Sequence, residues 1–377
     1  MNNNKHVDKF LIIWRNTYLK QEIIKHLRLY NKYENFEAYC NQELIAHANR
    51  NYISKLELSF ENELLQPDII PYELIRFNQQ LNKENILPNS ITHLNLCHFN
   101  KPLEKGILPS SLLFLEMNAF NLQLKKCVLP QSITSINLFQ FNKNISSGIF
   151  PSSLKQASLF NFKKQINENI FGTCLTSLEL SRYSFPLNGC EFPNSIKKLT
   201  LSTYNEPLSQ NSIPFGVEQL DLPLYDIPIN IGHIPNSITE LSLFRFNQSL
   251  IPNAFPPSLK KLTFTMFNKP LKCLSTTSID TLILGDSFNQ PIFTGDLPLS
   301  ITSLKFGKKF NQPLLFKGMI PPNVKDIYFG SHYEQAFSSD SIPSSVETIR
   351  FLNSSMENLI PNDGSIISKS VKLIFIK

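Results

Sequence analysis

The stretch PNSITHLNLCHFNKPLEKGILP, residues 88–109, decides the fold. It opens and closes on proline, and Pro130 and Pro151 keep the same interval of 21 residues. Gly172 holds the next place, and Pro193, Pro214, Pro235 and Pro256 carry the interval on. Beyond them the spacing loosens, through Thr276, Pro298, Pro321, Pro343 and Ser368. Eight equal intervals in succession are not chance, and internal repetition at this period predicts a solenoid.

Within each unit the apolar places recur. Three residues past the anchor stand Ile91, Leu112, Ile133, Leu154 and their successors. Six and eight past it come pairs such as Leu94 and Leu96, Leu178 and Leu180, or Leu241 and Leu243. Alternation over so short a run predicts one half-buried strand per turn. Eleven past the anchor is an aromatic: Phe99, Phe120, Phe141, Phe162, Tyr183, Tyr204, Tyr225, Phe246 and Phe267. Phe288, Phe310 and Tyr333 extend that series one residue later in longer units, and the expected result is an internal stacked spine.

The return path from aromatic to next anchor usually carries proline or glycine, as in FNKPLEKGILP (99–109). Proline removes a donor and fixes φ, so no helix of useful length is expected there. One turn then buries five or six apolar side chains, each contributing about 1.5–3 kcal/mol before conformational entropy is set against it. No turn hides its apolar face alone, so stability must come from neighbours.

Five segments carry a resemblance: Tyr204-Asn-Glu-Pro-Leu, Phe246-Asn-Gln-Ser-Leu, Phe267-Asn-Lys-Pro-Leu, Phe288-Asn-Gln-Pro-Ile and Phe310-Asn-Gln-Pro-Leu. Each lies near an Ile/Leu-Pro-x-Ser-Ile/Leu segment, and together they resemble the FNIP repeat over roughly Ile86 to Leu352. The motif is weaker at Phe162-Lys163, Tyr183-Ser184 and Tyr225-Asp226, where the Asn is replaced. That family is counted among leucine-rich repeats. The resemblance implies a mainly β, right-handed, leucine-rich-repeat-like solenoid of about 12–14 turns, with a short N-terminal helical cap. Asn side chains bond readily to nearby main chain, so the Asn after each aromatic is expected to satisfy turn backbone groups.

The two ends read differently. Phe10, Ile13, Trp14, Leu19, Ile23, Ile24 and Leu27 have helical spacing over residues 9–30, and a second helix is expected from Phe36 to Ala48. The organisation expected is therefore 1–49 as an N-terminal helical cap or docking segment and 50–377 as the solenoid. Ile53, Leu56 and Leu58 look like a first strand, and Val371, Ile374 and Ile376 like a last one. The resemblance also implies an alternative function, since some FNIP-repeat proteins carry an F-box-like N-terminus. The chain would then be the substrate-recognition subunit of a ubiquitin-ligase-type complex, docking through the N-terminal helices, although the Leu-Pro-x-Glu opening of an F-box is absent.

The formal net charge is +6, from 36 basic against 30 acidic residues, too thin an excess to point to nucleic acid. Six cysteines lie scattered with no CxxC pair. Cys127 and Cys190 share a repeat position three turns apart, roughly 14 Å at strand spacing, which is too far for a disulfide. Buried free thiols in a reducing, cytoplasmic setting are expected. The longest apolar start, Phe10 to Trp14, is too short for a secretory or transmembrane segment.

No phosphate-binding glycine loop, nucleophile elbow or HExxH is present. His93 and His98 share no carboxylate at ligand spacing, and Glu116 and Glu179 lie three turns apart, too far for two-carboxylate chemistry. Neither catalysis, a metal, a cofactor nor a small-molecule substrate is therefore expected. The strand face is the one organised surface. Outward places five and seven past the anchor run from His93 and Asn95 through Lys261 and Thr263, with alternating charge that is poor phosphate-tracking material. Position nine adds Phe139, Phe160 and Phe244. Outward aromatics are common partner anchors. The candidate contact residues are Phe114, Glu116, Phe139, Phe160 and Glu179, suited to a protein partner offering an apolar segment and basic residues. The functional expectation is a non-catalytic protein–protein interaction scaffold.

Overall fold

The computed structural model describes residues 92–96, 98–166, 169–339, 341–360, 364 and 366–376, and before them Lys25, 35–38 and 55–58. The chain divides into two compact units, Met1–Leu159 and Phe160–Lys377.

In the first unit, β1 (Asn35–Ala38) and β2 (Lys55–Leu58) pair in parallel, Asn35 facing Lys55 and Ala38 facing Leu58. Then come β3 (His93–Asn95), β4 (Phe114–Glu116), β5 (Ser135–Asn137) and β6 (Gln156–Ser158), each pairing in parallel with the next. The inward residue is buried every time: Leu94, Leu115, Ile136 and Ala157. β2 is the strand that Leu56 and Leu58 announce. Phe36–Ala38, by contrast, is extended where helical spacing predicts the start of a helix. Pairing with a strand 20 residues on gives its backbone groups ladder partners, which outweighs weak local helix propensity. The rest of 9–30, apart from the helical Lys25, and of 39–48 lies outside the described residues, and with it any docking role of those helices.

The second unit runs β7 (Ser177–Glu179), β8 (Lys198–Thr200), β9 (Gln219–Asp221), β10 (Glu240–Leu243), β11 (Lys261–Phe264), β12 (Thr281–Leu284), β13 (Ser303–Phe306), β14 (Asp326–Phe329), β15 (Thr348–Phe351) and β16 (Lys372–Phe375). All pair in parallel with their sequence neighbours. Each unit is a parallel β solenoid with irregular returns. Among the described residues of this unit the only helical pieces are two 3-10 turns, Lys272–Leu274 and Ser354–Asn358.

The aromatic spine is a single column in each unit. Phe99, Phe120 and Phe141 are fully buried and lie nearly parallel, with centroids 6.3 and 6.2 Å apart. From Phe246 through Phe267, Phe288 and Phe310 to Tyr333 the spacing stays between 5.8 and 6.3 Å. Offset stacks at such distances add to the burial itself. At three spine places tyrosine serves a backbone donor: the Tyr183, Tyr204 and Tyr225 hydroxyls accept the N–H groups of Ile166, Leu187 and Leu208, each at 3.4 Å.

A second aromatic column, absent from the sequence reading, enters where the period loosens. Phe306, Phe329, Phe351 and Phe375 take the second inward strand place and stack at 5.3 to 5.5 Å. It also corrects the last strand. Leu373 and Phe375, facing Ile349 and Phe351, continue the inward columns, while Ile376 is exposed. The final unit is one residue short between anchor and strand, and a one-residue shift exchanges the two faces.

Outside the second column, Gly285, Gly307 and Gly330 follow β12, β13 and β14. A Cβ on Gly307 would lie 2.2 Å from the Gly285 carbonyl carbon, and one on Gly330 2.1 Å from the Gly307 oxygen. Successive turns touch backbone to backbone there.

Candidate binding surface

Two polar ladders fix the spacing at which each strand face is presented. In five turns the Ser two past the anchor donates to the carbonyl of the preceding turn: Ser132 to Leu112, Ser153 to Ile133, Ser258 to Ile238, Ser300 to Ile279 and Ser345 to Val324, at 2.6 to 2.8 Å, whereas the Ser195 and Ser237 hydroxyls are buried without such a bond. The Asn after each aromatic reaches forward instead. Asn100 Oδ1 accepts the Asn121 N–H, Asn121 the Asn142 N–H, and the series resumes at Asn205, Asp226, Asn247, Asn268, Asn289 and Asn311, at 2.8 to 3.0 Å. The expectation that this Asn serves its own turn is thereby corrected: it serves the backbone of the next one, so it is a ladder between turns. Gln248, Gln290, Gln312 and Gln335 donate their Nε2 to the same oxygens.

With inward places kept apolar, it is the outward places that change in chemistry from turn to turn. In the first unit Phe114 and Glu116 share the outer face of β4. Phe114 stacks on His93 of β3 with centroids 5.8 Å apart, and His93 is held by the Thr92 hydroxyl at 2.9 Å. Both Glu116 oxygens are occupied, by Asn95 Nδ2 at 3.1 Å and Asn118 Nδ2 at 2.8 Å. Asn95, expected to point outward, is only 7% exposed because this bond turns it down onto the sheet. Phe139, just past β5, is exposed.

In the second unit Phe160 is half-buried, beneath the Arg182 guanidinium at 5.6 Å, and its carbonyl accepts the Arg182 N–H at 2.9 Å. Glu179 accepts the Ser181 hydroxyl at 2.8 Å, and Ser202 donates to Ser181 at 3.2 Å. Strand register lines up Glu179, Thr200 and Asp221. Burial raises the Asp221 carboxyl above the usual carboxylate range, and Glu179 adds to that while Lys198 opposes it. Glu179 thus belongs with Asp221 in an acidic strip, a pairing the sequence reading did not draw.

The cysteines depart from expectation. Cys127 and Cys174 are exposed, and Cys190 and Cys273 half-buried, all free. Cys127 occupies the left-handed place three before the anchor, at φ 62, where Gly106 and Gly148 stand in the neighbouring turns. In the Cys190 turn Gly189 adopts that conformation, so the two thiols are not equivalent. Cys190 instead meets the Tyr183 hydroxyl at 3.2 Å, and burial pushes its thiol up, away from reactivity.

The outward residues of β13 to β15 stand five and seven past Pro298, Pro321 and Pro343, beyond the run that ends at Thr263, and those of β16 fall one residue earlier past Ser368. They are Ser303 and Lys305, Asp326 and Tyr328, Thr348 and Arg350, Lys372 and Ile374. Lys305 Nζ lies 4.6 Å above the Tyr328 ring, and Arg350 pairs with Asp326 at 3.6 Å. No helix among the described residues is long and apolar enough to cross a membrane.

The FNIP repeat family model matches residues 77–119, 120–162, 183–225, 204–244, 225–266, 246–275, 267–309, 288–317 and 310–354. An FNIP repeat-containing protein of Dictyostelium discoideum is 34% identical over 100 residues, 26% of this chain and 18% of that protein. Among solved structures, that of CroV588, described as a novel circular LRR protein, is similar with a TM-score of 0.70 and 25% identity, over 89% of this chain and 58% of the other. The Drosophila Toll–Spatzle complex contains a similar fold, at a TM-score of 0.55 and 14% identity, over 88% of this chain and 56% of that one. The chain therefore spans about a fifth of the curated relative and little more than half of each structural neighbour.

Proposed function

This chain belongs to the FNIP-repeat family, and on that premise we propose that it is a non-catalytic scaffold that binds a protein partner on the strand face of its solenoid. One observation carries the reading: inward places stay apolar turn after turn beside the Ser and Asn ladders, whereas outward places change from each turn to the next. A rigid surface whose composition varies along its length is what selective recognition of a large partner needs, because little ordering is required at binding. In this reading residues 50–377 supply the repeats and residues 1–49 an N-terminal cap or docking segment.

The contact residues proposed are Phe114, Glu116 and Phe139 on the first unit and Phe160 and Glu179 on the second. Their rings anchor an apolar segment and their carboxylates meet basic residues. Phe139 is the strongest of these by exposure, and Glu116 is already aligned by two carboxamides. Truncating an anchor aromatic typically costs about 2 kcal/mol of binding, roughly thirtyfold in affinity.

The test is the double change Phe139→Ser and Phe160→Ser, used as bait beside the native chain with recovered proteins compared by mass spectrometry. A protein recovered by the native chain and lost by a variant that melts normally supports the reading. A folded variant that recovers the same proteins at native levels overturns this site.

A further inference from the structure

The outer row of the last five strands of the second unit reads Ile283, Lys305, Tyr328, Arg350 and Ile374, in register across β12 to β16. It is an aromatic ring between two cations, closed at each end by an isoleucine. Three lysines of the second unit find a carboxylate one turn away: Lys197 with Glu218 at 2.6 Å, Lys261 with Glu240 at 3.3 Å and Lys325 with Glu347 at 3.3 Å. Lys305 is held by an aromatic face instead. Its ammonium rests on the Tyr328 ring, and among the described residues it forms no ion pair. Lys372, exposed on the next row, likewise has no ion pair among the described residues. On the outward places of β13 to β16 the cations are Lys305, Arg350 and Lys372, against the carboxylate of Asp326, with Asp286 just past β12 close enough to act on Tyr328. On β7 to β11 the balance is reversed, with Glu179, Asp221 and Glu240 against Lys198 and Lys261.

We propose that this row is a docking site for an acidic, extended peptide segment of a protein partner, with Lys305 and Arg350 gripping two carboxylates and Tyr328 seating the apolar residue between them. The site is separate from the residues assigned above, though it rests on the same reading of the strand face as a binding surface. Charge complementarity names the occupant. An unneutralised ammonium on an aromatic face is desolvated on one side and gains from a carboxylate brought to the other. Spacing supports the same choice. Lys305 and Arg350 are two strands apart, about 10 Å. A polyproline-type peptide brings residues i and i+3 to one side at about 9 Å, so two carboxylates three positions apart fit both cations. Nucleic acid fits worse, because phosphate tracking needs cations in unbroken register and Tyr328 stands between Lys305 and Arg350.

Fluorescence anisotropy of a labelled proline-rich peptide with two glutamates three residues apart tests the proposal, using the full chain. Binding should weaken as salt rises from roughly 0.05 to 0.3 M, since both cations are exposed to screening. The double variant Lys305→Glu and Arg350→Glu should lose affinity by about tenfold or more, and Lys305→Gln with Arg350→Gln by less. Because reversal also lowers the net charge of +6, a chain with Lys125→Glu and Lys197→Glu carries the same change away from the row and should bind as the native chain does. The Phe139→Ser, Phe160→Ser chain should also bind this peptide normally, which separates this site from the one proposed above. Equal binding of the peptide with lysines in place of its glutamates overturns the proposal. So does native affinity in a folded charge-reversed chain, or tighter binding of single-stranded oligothymidylate than of the peptide.

Discussion

Asn268 accepts, on one oxygen, the backbone N–H of Asn289 at 2.9 Å and the side-chain amide of Gln290 at 3.1 Å. The same atom therefore joins two turns and aligns the side chain that follows. Asn268→Ala should lower stability by about 1–3 kcal/mol, the cost of leaving a half-buried donor unpaired. Asn268→Asp should restore most of it, because Asp226 already performs this task for Asn247 and Gln248 at 2.8 and 3.0 Å. Urea denaturation of the three chains decides it, and equal losses from Ala and Asp would show that the acceptor oxygen is not what matters.

Phe141 is fully buried and stacked on Phe120 at 6.2 Å with an interplanar angle of 3°. Phe141→Ala removes one ring from the column and leaves a cavity that turns pinned by two ladders cannot close. The expected loss is about 3–5 kcal/mol, read from thermal or denaturant unfolding by circular dichroism. A loss below about 1 kcal/mol would mean that the spine relaxes freely.

Cys127 holds a left-handed backbone at φ 62 with a side chain attached. A left-handed residue other than glycine costs about 1–2 kcal/mol, part of which glycine returns through its freer unfolded chain. Cys127→Gly should therefore stabilise by about 0.5–1 kcal/mol, and Cys127→Val should destabilise. Opposite signs in the two melting shifts are the readout.

The buried tyrosines set an alkaline limit. Burial pushes the Tyr204 hydroxyl up to about 12, and Tyr183 and Tyr225 are raised for the same first reason. A group whose folded value lies above its unfolded one gives its full stability below the unfolded value, about 10 for tyrosine, and loses it as pH climbs through the folded one. Stability should stay level below pH 10 and fall from there towards 12, with tyrosinate absorbance at these positions rising only as the chain unfolds. Replacing Tyr183, Tyr204 and Tyr225 together by Phe should flatten that fall while losing three acceptors for backbone N–H groups.

Most of the architecture was legible because the inward pattern is strictly periodic: Leu94, Leu115 and Ile136 fall where counting from Pro88 puts them. What counting missed is what only neighbouring turns create. Asn100 bonds to Asn121, 21 residues on, a partner that is invisible along the chain. Phe306 and Phe329 each look like ordinary strand residues until their units are stacked. Phe36 read as helical because its partner, Leu56, lies 20 residues away. The candidate surface was legible at Phe139, whose offset is regular; Tyr328 stands at an equally regular seven past Pro321, but Lys305 comes to lie over its ring only when two turns 23 residues apart are stacked.

The backbone contact of Gly307 with Gly285 bears on how such a chain grows. A 21-residue turn from the regular region offers behind it the same surface that it meets ahead, so a duplicated copy inserts at almost any seam. A turn carrying Phe306 and Gly307 has no such liberty. Each such turn must itself present a bare backbone, because the turn before it, Thr265 for Gly285 and Gly285 for Gly307, lies where a Cβ would stand. A copy from the regular region inserted there would need glycine at this one place.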